Sequence, residues 1–243
     1  MDKYLIISDI HGNLSALDSV LSDCADEVFA GVILLGDHID YGMRSDEVIR
    51  RLKGLDKGEI LVNIWGNHEK LIFDKDLERL STDRGRAVAE YTARHLSDES
   101  KEYISSCMDH GGLQEFSLGG ASCLAVHGSL EDPYWKAIGP EDLHGDYSSY
   151  DIVFGGHSHY SHVFSRFYPT DDPGMRNKKA VLFINPGSVG QPRNQNPRAQ
   201  YAVLSLPSRS VELRSVEYDI EYEQSLFVPE VDAFYRDRLG KGI

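Results

Sequence analysis

The residues able to do chemistry fall into five short clusters along the 243-residue chain. They are Ser8-Asp9-Ile10-His11-Gly12-Asn13, Gly36-Asp37-His38-Ile39-Asp40-Tyr41-Gly42, Gly66-Asn67-His68-Glu69, His127-Gly128-Ser129 and Gly155-Gly156-His157-Ser158-His159. Carboxylate, amide oxygen and imidazole together suit a hard-to-borderline divalent cation such as Mn, Fe, Zn or Ni. Calcium would want more oxygens and Cu(I) would want thiolates. Asp9-x-His11 and His157-x-His159 each put two ligands on one side of an extended turn. The neighbouring glycines let backbone approach closely and adopt left-handed conformations. A single Asp-x-His or Gly-Asp is commonly a turn or a cap. Five in succession point to one shared site.

That site needs elements to hold it. Each cluster follows a short apolar run that reads as a buried strand: Tyr4–Ile7, Val32–Leu35, Ile60–Trp65, Ser122–Val126 and Asp151–Phe154. Ligands of open α/β sheets bind beyond the carboxyl ends of strands, where all five clusters fall. A helix is expected from about Ser15, with Leu14, Leu17, Val20 and Leu21 on one face and Cys24 near its end. A second, bearing Val48, Ile49 and Leu52, has its N-cap region at Ser45-Asp46. Residues 71–120 read as a charged helical insertion with Arg86–Leu96 and Asp98–Cys107 as helices, the second capped by Ser97. Further strands are expected at Val181–Ile184, Tyr201–Leu206 and Val211–Tyr218. With Asp151–Phe154 they include period-2 stretches suited to antiparallel pairing. Residues 168–179 read as an irregular polar loop, and the tail from Val228 as a short helix ending near Gly240. No internal repeat or domain boundary is evident, so residues 1–243 are expected to form one domain.

Composition narrows the function. With 39 acidic against 25 basic residues, the formal net charge is −14. Tracking a nucleic-acid backbone requires clustered Lys and Arg, so extended nucleic-acid binding is not expected. Cys24, Cys107 and Cys123 are odd in number and far apart, with no metal-type or disulfide pattern, and read as packing residues. No apolar run reaches the roughly 20 residues of a membrane span. No basic segment with an apolar signal core precedes the first strand. A cytoplasmic protein without membrane partners is expected.

The set D-x-H, GD-x-x-D-x-G, GNHE, HG and GH-x-H resembles the calcineurin-like metallophosphoesterase superfamily. Asn185-Pro186-Gly187-Ser188-Val189-Gly190-Gln191-Pro192-Arg193 and Arg214-x-Val216-x-Tyr218-Asp219 resemble its small prokaryotic phosphodiesterase-like branch. The resemblance runs from Tyr4 to about Asp219, with little contributed by residues 71–120 and 168–179. It implies a four-layer α/β/β/α sandwich of two mixed sheets flanked by helices. It also implies two divalent transition-metal ions: manganese first, with iron, nickel or zinc as alternatives. One would be held by Asp9, His11, Asp37 and His159, the other by Asp37, Asn67, His127 and His157. Two neighbouring cations need a shared anion to offset their repulsion, and Asp37 is the implied bridge; a hydroxide between the metals would attack phosphorus.

By the same resemblance His68 stabilises a phosphoryl oxygen or protonates the leaving group, and Asp40 fixes its tautomer. Glu69 could share that role or act as a helix-start carboxylate. The protein phosphatases carry a phosphate-gripping arginine where this chain has Tyr41, a departure that favours the small phosphodiesterase-like branch. Asn13, Tyr41 and Arg193 are candidate substrate contacts, Arg193 being as easily a surface ion pair. His38 and His162 are candidates to line the pocket; His95, His110 and His144 read as ordinary surface histidines. Gly187-Ser188 lacks the Gly-x-Ser-x-Gly nucleophile elbow and reads as a tight turn. The expected reaction is hydrolysis of a small phosphoester or nucleotide, a phosphodiester first. The alternatives are a dinucleoside polyphosphate hydrolase, a nucleotide phosphomonoesterase, and a scaffold of the same fold that has lost catalysis.

Overall fold

In the first strand, β1 (Asp2–Ile7), alternate side chains enter two different cores, and this sets the layering of the whole molecule. The computed structural model describes residues Met1 to Ile243. Leu5 and Ile7 join Leu14, Leu17, Val20, Val32, Leu34, Val48 and Val203 beneath the first two helices. Tyr4 and Ile6 point the other way, to Ile33, Leu35, Cys123, Ala125, Phe154 and Leu204 between two sheets. A strand buried on both faces must be apolar throughout, which is why these runs do not alternate with polar residues.

The first sheet has the order β10-β9-β1-β2-β3. Its strands are β1, β2 (Gly31–Leu34), β3 (Ile60–Asn63), β9 (Ala199–Leu206) and β10 (Ser210–Val216). β1, β2 and β3 run parallel, while β9 and β10 are antiparallel additions. The second sheet, order β4-β5-β6-β8-β7, comprises β4 (Leu113–Leu118), β5 (Ala121–Val126), β6 (Ile152–Gly155), β7 (His162–Pro169) and β8 (Lys178–Asn185). Its centre, β5-β6-β8, is parallel and both edges are antiparallel. Of the four late strands suited to antiparallel pairing, β9 and β10 pair so throughout, whereas β6 pairs only in parallel and β8 is antiparallel only toward β7. The expected architecture, two mixed sheets flanked by helices, is the observed one. Over the outer face of the second sheet the cover is irregular chain carrying Ile138, Tyr147 and Tyr150.

Helices α1 (Leu14–Asp23) and α2 (Ser45–Lys53) follow β1 and β2. Ser45 is the first helical residue of α2 rather than its cap, and its hydroxyl accepts the Asp40 N–H at 3.0 Å. Helices α3 (Asn67–Phe73), α4 (Asp83–His95) and α5 (Asp98–Cys107) follow β3, with Ser97 capping α5 as expected. Helical structure stops at Cys107, and Leu113–Leu118 forms an edge strand, so the helical stretch expected over 71–120 is shorter. The loop expected at 168–179 is observed over residues 170–177, with strand only at its two ends, since β7 reaches Pro169, β8 starts at Lys178, and a 3-10 turn spans Pro173–Met175. Beyond β10, α6 (Ile220–Ser225) was not anticipated; α7 (Ala233–Leu239) is the expected tail helix. Cys24 and Cys123 are core residues, but Cys107 is exposed at the end of α5. No helix is long and apolar enough to cross a membrane.

Candidate metal centre

All five polar clusters emerge where β1, β2, β3, β5 and β6 end, and the sandwich brings those ends to one place. The turns there are sharp. Asp9, His11, Asp37, Asp40, Tyr41, His157 and His159 all have positive φ, between 48° and 72°, and make up seven of the thirteen such non-glycine residues. Left-handed backbone costs an L-residue roughly 1–2 kcal/mol, so it persists only where the surroundings impose it. Backbone bonds between the turns do so: Asp9 N–H donates to Gly36 O and His11 N–H to Asp37 O, both at 3.0 Å. Gly66 is required where two loops touch, because a Cβ there would lie 2.1 Å from Asp37 Oδ1.

Two groups converge: Asp9, His11, Asp37 and His159, and Asp37, His127 and His157, with the potential ligand atoms of each within 4.8 Å of one another. Asp37 belongs to both. Its Oδ2 lies 3.6 Å from His11 Nε2 and 3.4 Å from His127 Nε2. Asn67 Oδ1 sits 3.1 Å from His127 Nε2 and 2.8 Å from His157 Nδ1, completing the second group. Every residue of the seven is buried except His157, which is partly open to solvent.

The tautomers are legible from the backbone. His11 Nδ1 faces Ile39 O at 3.2 Å, His127 Nδ1 faces Leu35 O at 2.7 Å, and His159 Nδ1 faces Gln191 O. A carbonyl only accepts, so each Nδ1 carries the proton and each neutral ring aims its Nε2 lone pair inward. His11 Nε2 and His159 Nε2 then face one another at 3.2 Å, while Asp9 Oδ1 is buried with no hydrogen bond. Burial holds His11, His157 and His159 neutral, His157 at a pKa of about 4. His127 is the exception: burial opposes its charge, but Asp37, Asp9 and the Leu35 carbonyl lift it to about 9. Burial resists ionisation of Asp9 and Asp37 too, yet the neighbouring histidines hold both carboxyls well below their usual range. The carboxylates of Asp9 and Asp37 and the rings around them converge on one space, where Asp9 Oδ1 has no hydrogen bond. Oxygen and imidazole donors without thiolate fit a divalent cation of the manganese-to-zinc kind.

Beside this cluster His68 Nδ1 donates to Asp40 Oδ2 at 2.6 Å, leaving its Nε2 without a protein partner. Burial opposes its protonation, but Asp37 and Asp40 outweigh burial and raise its pKa. Asp40 Oδ1 accepts from Thr92 Oγ1 of α4 at 2.9 Å. Glu69 does not touch His68's imidazole. Its buried carboxylate accepts the N–H groups of Asp37, His38 and Gly66 at 2.8 Å and that of Ile39 at 3.3 Å, clamping the turn that carries Asp37.

Asn13 is not available as a substrate contact. It caps α1 by accepting from Ala16 N at 3.0 Å, donates to Gly190 O at 3.1 Å, and is 1% exposed. Tyr41 does line the cluster, its ring centroid 4.6 Å from His11 and 4.4 Å from His68. Arg193 makes no ion pair, so the surface salt-bridge reading does not hold, and its N–H donates to His159 O at 3.3 Å. His38 faces β3, with Nε2 3.1 Å from Asn63 Oδ1, and belongs to the core rather than the cluster. His162 starts β7 and stacks near Phe164, away from the site. His95 stacks on Tyr91 and His144 lies beside Asp142 on the surface, as expected; His110 stacks on the buried Trp65. Ser188 donates to Asp9 O and accepts from Gln191 N, the tight turn expected of it. Thr92, Tyr235 and Arg238 also border the site. No local motif marks them, because they reach it from helices far along the chain.

Residues 3–209 match the calcineurin-like phosphoesterase superfamily domain. The chain is 28% identical over 227 residues to the uncharacterised protein MJ0912 of Methanocaldococcus jannaschii, covering 89% of this chain and 88% of that one. A metallophosphoesterase from Sphaerobacter thermophilus superposes with a TM-score of 0.75 at 28% identity, over 99% of this chain and all of that one. The hypothetical protein PH1004 of Pyrococcus horikoshii shares the fold, with a TM-score of 0.82 at 20% identity, over 100% of this chain and 99% of that one. With its sandwich, its strand-end clusters and a family match over most of its length, this chain belongs to the calcineurin-like phosphoesterase superfamily.

Proposed function

We propose that this chain, acting as one unit over residues 1–243, hydrolyses small phosphodiesters with two divalent cations, manganese first among them. Asp9, His11, Asp37 and His159 would hold one ion, and Asp37, Asn67, His127 and His157 the other. The observation that carries this reading is Asp37 Oδ2, which lies between inward-facing Nε2 atoms of both groups. Bound, such ions supply a water of lowered pKa and Lewis-acid polarisation of the phosphoryl oxygens.

The chain's own groups do the remainder. His68, with Nδ1–H fixed on Asp40, presents Nε2 toward the reacting group; its raised pKa suits it to hold a proton and deliver it to the departing oxygen. Thr92 and Ser45 hold Asp40 from two sides, so the imidazole plane is set before substrate arrives. The strained turns keep ligand atoms convergent without reorganisation, the condition for electrostatic catalysis. Preference for a diester is supported by Tyr41, which contributes an aromatic wall where the protein phosphatases carry an arginine.

Hydrolysis of bis-p-nitrophenyl phosphate and p-nitrophenyl phosphate, after metal stripping and resupply of Mn, Ni, Zn or Mg, tests the proposal. Metal-dependent turnover favouring the diester is expected, and His68→Ala should lower kcat on the order of a hundredfold with metal content unchanged. Turnover that survives complete metal removal would overturn the mechanism; preference for the monoester would overturn the substrate assignment.

A further inference from the structure

The charged helices after β3 leave an apolar recess that the candidate metal centre does not use. Ile72 and Phe73 of α3, Leu77 of the 3-10 turn Leu77–Arg79 and Ala93 of α4 line a cavity of about 500 Å³. That volume falls within the range of small-molecule sites, roughly 300–1,000 Å³. α3 carries Asn67 and His68 at its amino end and the recess at its carboxyl end, roughly 8 Å further on at 1.5 Å per residue. None of the lining residues belongs to either converging ligand group. The recess is a separate site, built from the helical insertion between β3 and β4.

Its charge is unlike that of the chain. Lys75, Arg94 and Lys101 border the same space with Glu90 as the one acid, although acidic residues outnumber basic ones by 39 to 25 overall. None of the three cations makes an ion pair or a side-chain hydrogen bond, whereas thirteen of the 25 basic residues pair with a carboxylate. Scarcity of acid does not explain this. Glu90 precedes Arg94 by one turn of α4, the spacing at which helical ion pairs form, and still does not pair with it. Lys75 follows the C-cap of α3 with φ 57°, a left-handed position that glycine usually fills, so a lysine side chain is kept where the backbone favours none. Three cations without partners around an apolar recess complement an anion with an apolar body.

We propose that this recess binds a small aliphatic carboxylate, its alkyl chain against Ile72, Phe73, Leu77 and Ala93 and its head among Lys75, Arg94 and Lys101. The lining favours an alkyl chain over a ring system, because three of its four apolar residues are aliphatic and only Phe73 offers an aromatic face. The cations select the charge of the head and the recess selects the chain, so neither a neutral alcohol nor a short acid satisfies both. No residue of the metal cluster takes part, and binding here is independent of the phosphoesterase reading.

Calorimetric titration of the full chain with sodium decanoate, below its aggregation concentration, tests this. Saturable binding is expected, tightening about fourfold per added methylene from hexanoate to decanoate. Decanol and decyltrimethylammonium should bind about tenfold or more weakly than decanoate, for want of a charge-assisted contact. Arg94→Glu and Lys75→Glu, both at exposed positions, should each weaken decanoate about tenfold, and Ala93→Phe should block the recess. The two charge variants keep the test decisive even if Ala93→Phe fails to fold. Decanoate affinity should be unchanged in Asp37→Asn. Loss of binding there would place the carboxylate at the metal cluster and overturn the recess. Absence of saturable binding, equal affinity for decanol, or affinity unmoved in both charge variants would overturn it too.

Discussion

The two ends of β1 carry charge clusters of opposite character. At the amino end, Lys3 and Arg214 both grip Glu27, and Arg214 also reaches Glu212 at 2.6 Å. Every charge there has its opposite, and the cluster lies at a partly solvated sheet edge. At the carboxyl end, Asp9 and Asp37 lie buried among imidazole rings, His11 Nε2 faces His159 Nε2, and Asp9 Oδ1 has no hydrogen bond. The first arrangement is complete as it stands. The second is complete only with something added. Charge clusters of similar size on one strand can thus be told apart by counting partners rather than charges.

The sharpest way to break this comparison is Asp37→Asn. Turnover of bis-p-nitrophenyl phosphate should fall on the order of a thousandfold, because the group common to both ligand sets loses its charge. Urea unfolding of the metal-free variant should stay within about 1 kcal/mol of the parent, since Asn can still accept the His68 N–H. Large destabilisation with activity retained would reverse the roles assigned to the two ends.

A smaller effect is expected one step out from the cluster. Thr92→Val removes the donor to Asp40 Oδ1 while preserving shape and should cut kcat roughly tenfold with little change in KM. Thr92→Ser should restore it. A loss that Ser does not rescue would make Thr92 a packing residue only.

The amino-end cluster should answer in stability alone. Glu27→Gln is expected to cost roughly 1–2 kcal/mol at neutral pH, allowing for solvent screening, and to leave kcat unchanged. Hydrogen bonds from Arg214 and Lys3 depress the Glu27 carboxyl to about 2 from its ordinary 4.5. A depressed acid stabilises fully above its unfolded value, so the contribution is whole above about pH 4.5 and disappears as pH falls through about 2. Urea midpoints of wild type and variant measured from pH 6 to 2 should converge. Parallel curves would show that Glu27 is not the source.

Much of this was readable from residues. The strands that position the cluster are continuous apolar runs ending in Gly, Asp and His, and such signals are local. The edge strands were harder. In β4 and β7 most residues are exposed or only partly buried, and LQEFSL and HVFSRFYP carry no clean alternation. Asn13 illustrates a different limit: a residue inside a motif can serve the turn that displays the motif. Thr92, Tyr235 and Arg238 mark the third, since their relevance depends on tertiary packing of α4 and α7. Arg214, singled out with Tyr218 and Asp219, belongs to the edge cluster, and Asp219 caps α6.

The left-handed turns that hold Asp9, His11, Asp37, His157 and His159 have an evolutionary consequence. At each of these positions glycine would relax the backbone, yet glycine has no side chain to offer the site. Selection for folding and selection for chemistry therefore pull these codons in opposite directions. A descendant freed from its chemistry would drift toward glycine and asparagine here first, leaving its sandwich intact and its lost reaction written in its turns.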